Sequence, residues 1–514
     1  MPTLIANPAV SAIVAAAVAA FAGVLLTPAA MRVLTHFGVV DRPDRTRKLH
    51  LKAVPVGGGI SVLAAMLCGC LVAALTGNTG FPFVLLSAGA MLSVVGLVDD
   101  ATGLRGRQKL LCQIVIAAYV VIAGEVMMKG FEVFDFYVSL GVFGPLFAVL
   151  WIVGTINAIN LLDGADGLAS IVGITLGGAL VTLCILLDKP GMAVVPAAMV
   201  GSLIGFLPYN LPPARVFLGD TGSQLIGLIL GSVALQASLK GPTTLALTGI
   251  VAVWTVPIFD VGIAVARRRL TGRSMYTPDR GHLHHRLIDK GLSGFRLLAV
   301  VGGACLLTAL GAVVSVAADS EFFAIIGVIV VLGTFVGFKL FGHSEVALAA
   351  RRSASIANSL VRRPHRQKGP VQWESRLRGT GDWEALWGDL RSYAERFALV
   401  DVHLSINVPS LDEDYSASWK GVEKPSYERI WVAQLPLVHE GVTIGRIQVR
   451  GRSEDATRVA DIAELITGLR PFETQVLDIV RVHLDRAAAR PAAMNETRPF
   501  KTPARVENET RVTV

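Results

Sequence analysis

VFGPLFAVLWIVGTINAINLLDGADGLASIVGITLGGALVTLCILL, residues 142–187, decides how the rest of the chain is read. Two apolar runs, each near the length of about 20 residues that crosses a bilayer as a helix, flank Asn157, Asn160, Asp163 and Asp166. On a helical turn, Asn157 with Asn160 and Asp163 with Asp166 would each share a face. Removing such groups from water without a partner costs roughly 2–7 kcal/mol apiece. Their position at a membrane boundary therefore points to a ligand of hard-oxygen preference, Mg2+ or a phosphorylated molecule. The competing reading is a polar loop joining two spans.

Composition extends that reading to the whole chain. Of 514 residues, 53% are hydrophobic and 17% charged, which excludes an ordinary soluble protein of this size and predicts a polytopic membrane protein. Apolar windows fall near 9–31, 57–76, 80–98, 110–128, 142–160, 168–187, 191–207, 222–238, 243–266, 296–317 and 321–341, about 11 transmembrane helices. The first is long enough to stay as a span, with no separate cleavable signal evident.

Alternate loops carry very unequal charge. One set, from Arg32–Lys52 through Arg105–Lys109 and Arg215 to Arg267–Lys290, holds seventeen Lys and Arg; the other holds Lys129, Lys189 and Lys240. The positive-inside rule then puts the basic set in the cytoplasm, with the N-terminus outside and the C-terminus inside. The net charge of +8 is thereby explained without nucleic acid. Cys68, Cys70, Cys112, Cys184 and Cys305 all lie in apolar runs and read as small buried hydrophobes.

The basic loops carry the chemistry. In the first, Lys48, His50 and Lys52 precede Gly57-Gly58-Gly59; cations beside a glycine run allow phosphate to approach the backbone, although positive-inside charge alone would also produce them. In the second, Asp99-Asp100 end an uncharged span and Lys109 follows. Adjacent carboxylates repel unless a cation lies close, and such a pair suits proton removal from an acceptor phosphate or direct attack on phosphorus; a structural salt-bridge cluster is the bland alternative. FLGDTGS (217–223) offers Asp220 at the mouth of a span as a metal ligand. PDRGHLHHRL (278–287) gathers Arg280, His282, His284 and His285. Without cysteine, and with arginines that would repel a metal ion, this cluster reads as an anion site rather than a zinc site.

After residue 341 the composition changes. Residues 342–370 form a basic linker, 371–487 alternate strand-like runs with an amphipathic WEALW segment, and 488–514 have the composition of a disordered tail. The predicted fold is thus an all-α polytopic membrane unit over 1–341 with a small cytoplasmic α+β C-terminal domain. A transporter would instead place charges in mid-span on both halves of the membrane unit. Here Asp260 and Glu125 are the exceptions, near span ends, and Asp260 reads as a helix-end carboxylate that caps, or pairs with Arg267.

Taken together, the Asp99-Asp100 pair with Lys109, NAINLLDGADGLA (157–169), FLGDTGS (217–223) and PDRGHLHHRL (278–287) resemble the polyprenyl-phosphate N-acetylhexosamine-1-phosphate transferases, over residues 10–341. The loops at 47–60 and 278–287 are similar to the bacterial branch that moves GlcNAc-1-phosphate from UDP-GlcNAc to undecaprenyl phosphate. The branch acting on UDP-MurNAc-pentapeptide has three consecutive histidines, and Leu283 interrupts that run here. The resemblance implies Mg2+, or Mn2+ in its place, on Asp220 and Asn160. It implies acceptor activation by Asp99 and Asp100 with Asp163 as a further catalytic carboxylate, and diphosphate on Lys109. Asp166 would lie near the nucleotide base, and Asn157, Arg280, His282, His284, His285, Lys48, His50 and Lys52 near the substrates. It also implies a UDP-HexNAc donor, undecaprenyl phosphate as acceptor and an inner-membrane location. A homodimer and a protein partner for the C-terminal domain are compatible with it.

Overall fold

The computed structural model describes residues 8–41, 53–76, 82–126, 130–133, 136–239, 245–270, 281–343, 345–346, 371–378, 383–397, 399–408, 413–421, 429–439, 442–453 and 459–489. Lys48, His50, Lys52 and Arg280 lie outside the described residues, as do residues 347–370 and the tail. The chain divides into two compact units, Met1–Ala350 and Arg351–Val514.

Every apolar window of the first unit becomes helix. In order they are α1 (Pro8–His36), α2 (Gly59–Thr76), α3 (Phe83–Thr102), α4 (Gly106–Ala123), α5 (Gly144–Leu162), α6 (Leu168–Leu186), α7 (Val194–Asn210), α8 (Gly219–Leu239), α9 (Leu245–Val253), α10 (Thr255–Leu270), α11 (Leu283–Asp289), α12 (Phe295–Ala317) and α13 (Phe322–Gly337). Seven segments, Pro8–His36, Phe83–Thr102, Gly106–Ala123, Gly141–Leu162, Leu168–Leu186, Pro190–Asn210 and Phe295–Ala317, are long and apolar enough to cross a membrane; Gly59–Leu75 and Phe322–Gly337 are shorter apolar helices. The window at 243–266 divides into α9 and α10 around the buried Trp254. Pro257 lacks the amide that a continuous helix would offer to Val253, which breaks the ladder there.

Helix α8 is the axis of the unit. Leu225, Ile226, Leu228, Ile229, Leu230, Val233 and Ala234 are all buried, and a helix apolar on every side belongs inside a bundle. Helices α3 and α5 pack along it, with α2 and α6 beside them. Two short antiparallel ribbons join the helices: β1 (Val40–Asp41) with β2 (Val54–Pro55), and β3 (Gly130–Val133) with β4 (Phe136–Ser139). The first closes the base of the loop carrying Lys48, His50 and Lys52. From there Phe217 N donates to Pro55 O at 2.9 Å, Gly58 N to Phe217 O at 2.9 Å and Gly59 N to Leu218 O at 3.0 Å. The first and third basic loops are therefore stitched together by backbone.

The second unit is α+β. Strands β5 (Val371–Arg378), β6 (Asp401–Val408), β7 (Glu413–Lys420), β8 (Arg429–His439) and β9 (Val442–Ser453) form one antiparallel sheet in the order β5-β7-β6-β9-β8. Helices α14 (Trp383–Arg396) and α15 (Val459–Ala489) supply Trp383, Trp387, Leu390 and Val476 to a core shared with Val402, Leu404, Tyr415 and Ile447.

Candidate active site

The site is built at the N-terminus of α8, where the first amides of any helix lack partners. Asp100, from α3, fills that need. Its carboxylate accepts from Asp220 N at 2.9 Å, Thr221 N at 3.2 Å and Thr221 Oγ1 at 2.7 Å, and its negative charge complements the helix dipole. Two glycines permit the approach. Gly219 has φ +71°, and a Cβ there would lie 2.5 Å from Asp100 Oδ2; a Cβ on Gly96 would lie 2.6 Å from Thr221 Cα.

Asp99 turns the other way. Helix α3 ends on Gly103 in the left-handed conformation, and Leu104 N then donates to Asp99 Oδ1 at 2.6 Å. Asp99 Oδ2 lies 3.0 Å from Lys109 Nζ. The pair expected to repel is thus split, one carboxylate on a helix terminus and the other on a cation.

Lys109, from α4, joins the loops. Its ammonium meets Asp99, Asp220 and the Asn160 Oδ1 atom, the last at 3.2 Å. Asn160 Nδ2 donates to Asp220 Oδ1 at 2.7 Å and Ser223 Oγ at 3.0 Å. Behind this lies a chain of amides: Gln224 Nε2 to Asp220 Oδ2 at 3.4 Å, Gln113 Nε2 to Gln224 Oε1 at 3.0 Å, and Asn157 Nδ2 to Gln113 Oε1 at 2.8 Å. Asn157 accordingly supports the site from within the bundle. Sequence reading missed Gln113, Gln224 and Ser223; the available signal was a glutamine inside each of two otherwise apolar runs.

Among the described residues no three His, Cys, Asp or Glu side chains converge as a metal cluster. What converges is two carboxylates and a carboxamide, with an ammonium between them. This donor chemistry fits Mg2+, which takes one or two protein carboxylates and completes its shell with phosphate and water.

The turn after α5 corrects one expectation. The helix stops at Leu162, with Asp163 as its C-cap and Gly167 at φ +74° before α6, so Asp163 and Asp166 do not share a helical face. Asp166 Oδ2 instead accepts from Ala214 N at 2.9 Å, holding the loop after α7. Asp163 keeps its carboxylate in the turn, where desolvation, then the like charges of Asp100 and Asp166, raise its pKa.

The histidine loop closes onto that turn. The His284 ring packs against Gly164, where any Cβ would collide with its Nε2. Its buried Nδ1 has no hydrogen-bond partner, and desolvation, then His285 and His282, pull its pKa down to about 3. His282 and His284 lie parallel with centroids 6.4 Å apart, and His285 lies 4.2 Å from His284. The fully buried Asp260 of α10 accepts from Leu283 N at 2.8 Å and meets His282 Nδ1 at 3.1 Å. It is thus a cap, for α11, and it does not pair with Arg267. Arg267 Nη1 lies 2.7 Å from Glu345 Oε1, both buried.

Residues 82–238, which contain Asp99, Lys109, Asn160 and Asp220, match the pattern of glycosyl transferase family 4. The chain is 34% identical over 310 residues to the decaprenyl-phosphate N-acetylglucosaminephosphotransferase of Mycolicibacterium smegmatis, covering 53% of this chain and 74% of that protein. It is 32% identical over 276 residues to the undecaprenyl-phosphate alpha-N-acetylglucosaminyl 1-phosphate transferase of Thermotoga maritima, covering 53% and 80%. Identity to the phospho-N-acetylmuramoyl-pentapeptide-transferase of Staphylococcus epidermidis is 30% over 279 residues, covering 51% and 85%. With those spans of similarity and the four loops brought to the end of one buried helix, the chain belongs to glycosyl transferase family 4, among the polyprenyl-phosphate N-acetylhexosamine-1-phosphate transferases.

Proposed function

We propose that this protein transfers N-acetylglucosamine 1-phosphate, or a closely related N-acetylhexosamine 1-phosphate, from its UDP conjugate to undecaprenyl phosphate. The products are UMP and a polyprenyl-diphosphate sugar, the start of a lipid-linked cell-surface polysaccharide. The observation that carries this reading is Lys109, held by Asp99, Asn160 and Asp220 at the mouth of the basic loops. The named activities of the relatives support the same assignment.

In this reading the unit crosses the inner membrane about eleven times, with the site and the C-terminal unit in the cytoplasm. Asp220 and Asn160 would hold Mg2+, or Mn2+, which supplies screening of the donor diphosphate. Lys109 then swings from the carboxylates to the diphosphate, its amide-buttressed neighbours keeping its stem in place. His282, His284, His285 and Arg280 bind diphosphate or sugar, and Lys48, His50 and Lys52 meet phosphate at the rim. The acceptor is already anionic, so it needs positioning and screening more than activation. Its phosphate oxygen forms a bond to the β-phosphorus, while the bond from that phosphorus to the bridging oxygen breaks and UMP departs with the electron pair.

Asp100, occupied by three donors, positions α8. Asp99 and Asp163 are the carboxylates left to face an acceptor phosphate. The C-terminal unit is assigned a regulatory or partner-docking role, and the membrane unit leaves room for a homodimer.

The test offers purified protein UDP-GlcNAc labelled in the sugar, undecaprenyl phosphate and Mg2+, then extracts lipid. Labelled lipid with stoichiometric UMP is expected. Label from another UDP-HexNAc alone would change the substrate, and none from any UDP-HexNAc would sink the transferase reading.

A further inference from the structure

A groove of about 610 Å3 opens at the C-terminal end of α1, lined by Pro28, Met31, Arg32, Thr35, His36, Tyr209 and Arg215. None of these belongs to the Asp99, Lys109, Asp220 network, so the groove is a feature separate from the site described above. We infer that the groove binds the headgroup of an anionic phospholipid of the surrounding bilayer. The inference rests on α1 crossing the membrane and is independent of which sugar is transferred.

Three observations converge. Helix α1 has 29 residues, about 43 Å at ~1.5 Å per residue, against a hydrocarbon core of ~30 Å. Its last turns, carrying Arg32 and His36, therefore reach the headgroup layer. The groove is also prepared for an anion. Arg215 is held by Nη2 to Pro208 O at 3.0 Å and by its guanidinium 5.0 Å from the Tyr209 ring centroid, while Tyr209 Oη donates to Val24 O at 3.1 Å. That bond ties α7 to α1 beneath the groove. Among the described residues Arg32 has no ion pair, so two guanidiniums and an imidazole face one opening; guanidinium forks suit phosphate geometry.

An apolar track leads away from it. Phe21, Leu25, Pro28 and Arg32 recur at helical spacing on one side of α1, and Phe21 and Leu25 are exposed. Cations at the end of a lipid-facing apolar stripe match a headgroup with its acyl chain, as basic pockets between membrane helices do for anionic lipids.

The test is native mass spectrometry of the delipidated full chain titrated with phosphatidylglycerol, comparing wild type with Arg32→Gln/Arg215→Gln. Expected is retained phosphatidylglycerol in wild type, at least about fivefold weaker in the double variant, about 1 kcal/mol by the affinity relation. Turnover in detergent should stay near wild type, which separates this site from the catalytic reading. Thr35→Trp fills the groove without removing a charge and should give the same loss even if the double variant fails to fold. Equal binding in wild type and Thr35→Trp would overturn the site. Phosphatidylcholine binding as well as phosphatidylglycerol would overturn its anion preference. Tighter, arginine-dependent binding of undecaprenyl phosphate would give the groove to the acceptor, and full displacement by inorganic phosphate would give it to a free anion; either overturns the phospholipid assignment.

Discussion

Lys109 and Asp220 are from different helices, and their contact is what turns two loops into one site. Asp220→Asn keeps the shape of the side chain and its bond from Asn160 while removing the charge. Loss of one preorganised electrostatic contact in a catalytic site typically costs about 10^2–10^3 in turnover, and under the proposed metal role for Asp220 the cost should be at least that. The expectation is a fall of that size in labelled lipid formed, with thermal unfolding in detergent little changed; undiminished turnover would remove Asp220 from the machinery. His284 makes a pH prediction. Its folded pKa of about 3 lies below the ordinary 6.5, so the unfolded state binds the proton first as pH falls. The stability from its neutral burial is therefore complete above about pH 6.5 and is lost toward pH 3, with a limiting slope of about 1.4 kcal/mol per pH unit. His284→Gln should flatten the fall in unfolding temperature between pH 6.5 and 5 relative to wild type. Parallel curves would mean that His284 titrates normally.

At the scale of elements, two helix ends, the N-termini of α8 and α11, are held by carboxylates from elsewhere, and this decides what sequence can reveal. Asp99, Asp100, Lys109, Asn160 and Asp220 were legible because each stands at one end of an apolar run, where a charge or an amide must have a purpose. Gln113 and Gln224 were not, because a lone amide in a span reads as a tolerated polar residue until α4, α5 and α8 are side by side. Asp260 was legible as a cap, but its partners lie 22 and 23 residues on, a separation no local pattern encodes. In the C-terminal unit, the strand-like runs near 400–408, 430–437 and 443–449 became β6, β8 and β9, whereas β5 and β7 went unread; Tyr415, Ala417 and Trp419 are buried at alternate positions of β7, but its EDYSASWK sequence is too polar to announce a strand. Asp260 also gives a test of α11 as a positioned element. Asp260→Asn leaves an acceptor for Leu283 N but weakens the hold on His282, a positioning change. Because a carboxylate that orients a binding histidine is typically worth about 10- to 100-fold, KM for the UDP-sugar should rise by about tenfold with a smaller effect on kcat. A fall in kcat alone, or no change, would argue against His282 binding donor. Gly96→Ala addresses the other end. Its methyl would collide with Thr221 and push the α8 terminus off Asp100, so turnover and stability should both drop, by about 1–3 kcal/mol in stability.

For the whole molecule the question is why a transferase of this family carries a second unit. Its relatives match only about half of this chain, 51–53%, and the family pattern ends at residue 238. Every residue assigned to chemistry precedes residue 287, whereas the second unit has its own buried core of Trp383, Trp387, Leu404, Tyr415 and Val476. A unit with a separate core can fold without its neighbour. Ending the chain after Lys368 should therefore leave turnover in detergent within about twofold, ~0.4 kcal/mol in barrier terms, because no group that touches substrate is lost. If the unit regulates the enzyme or docks a partner, lipid-linked product in cells should nevertheless fall, since that input exists only there. The two measurements divide the cases. Unchanged turnover both in detergent and in cells would leave the unit without a role in this reaction. A drop of more than tenfold in detergent, with the membrane unit still unfolding at its usual temperature, would mean that residues beyond 368 act directly on the site.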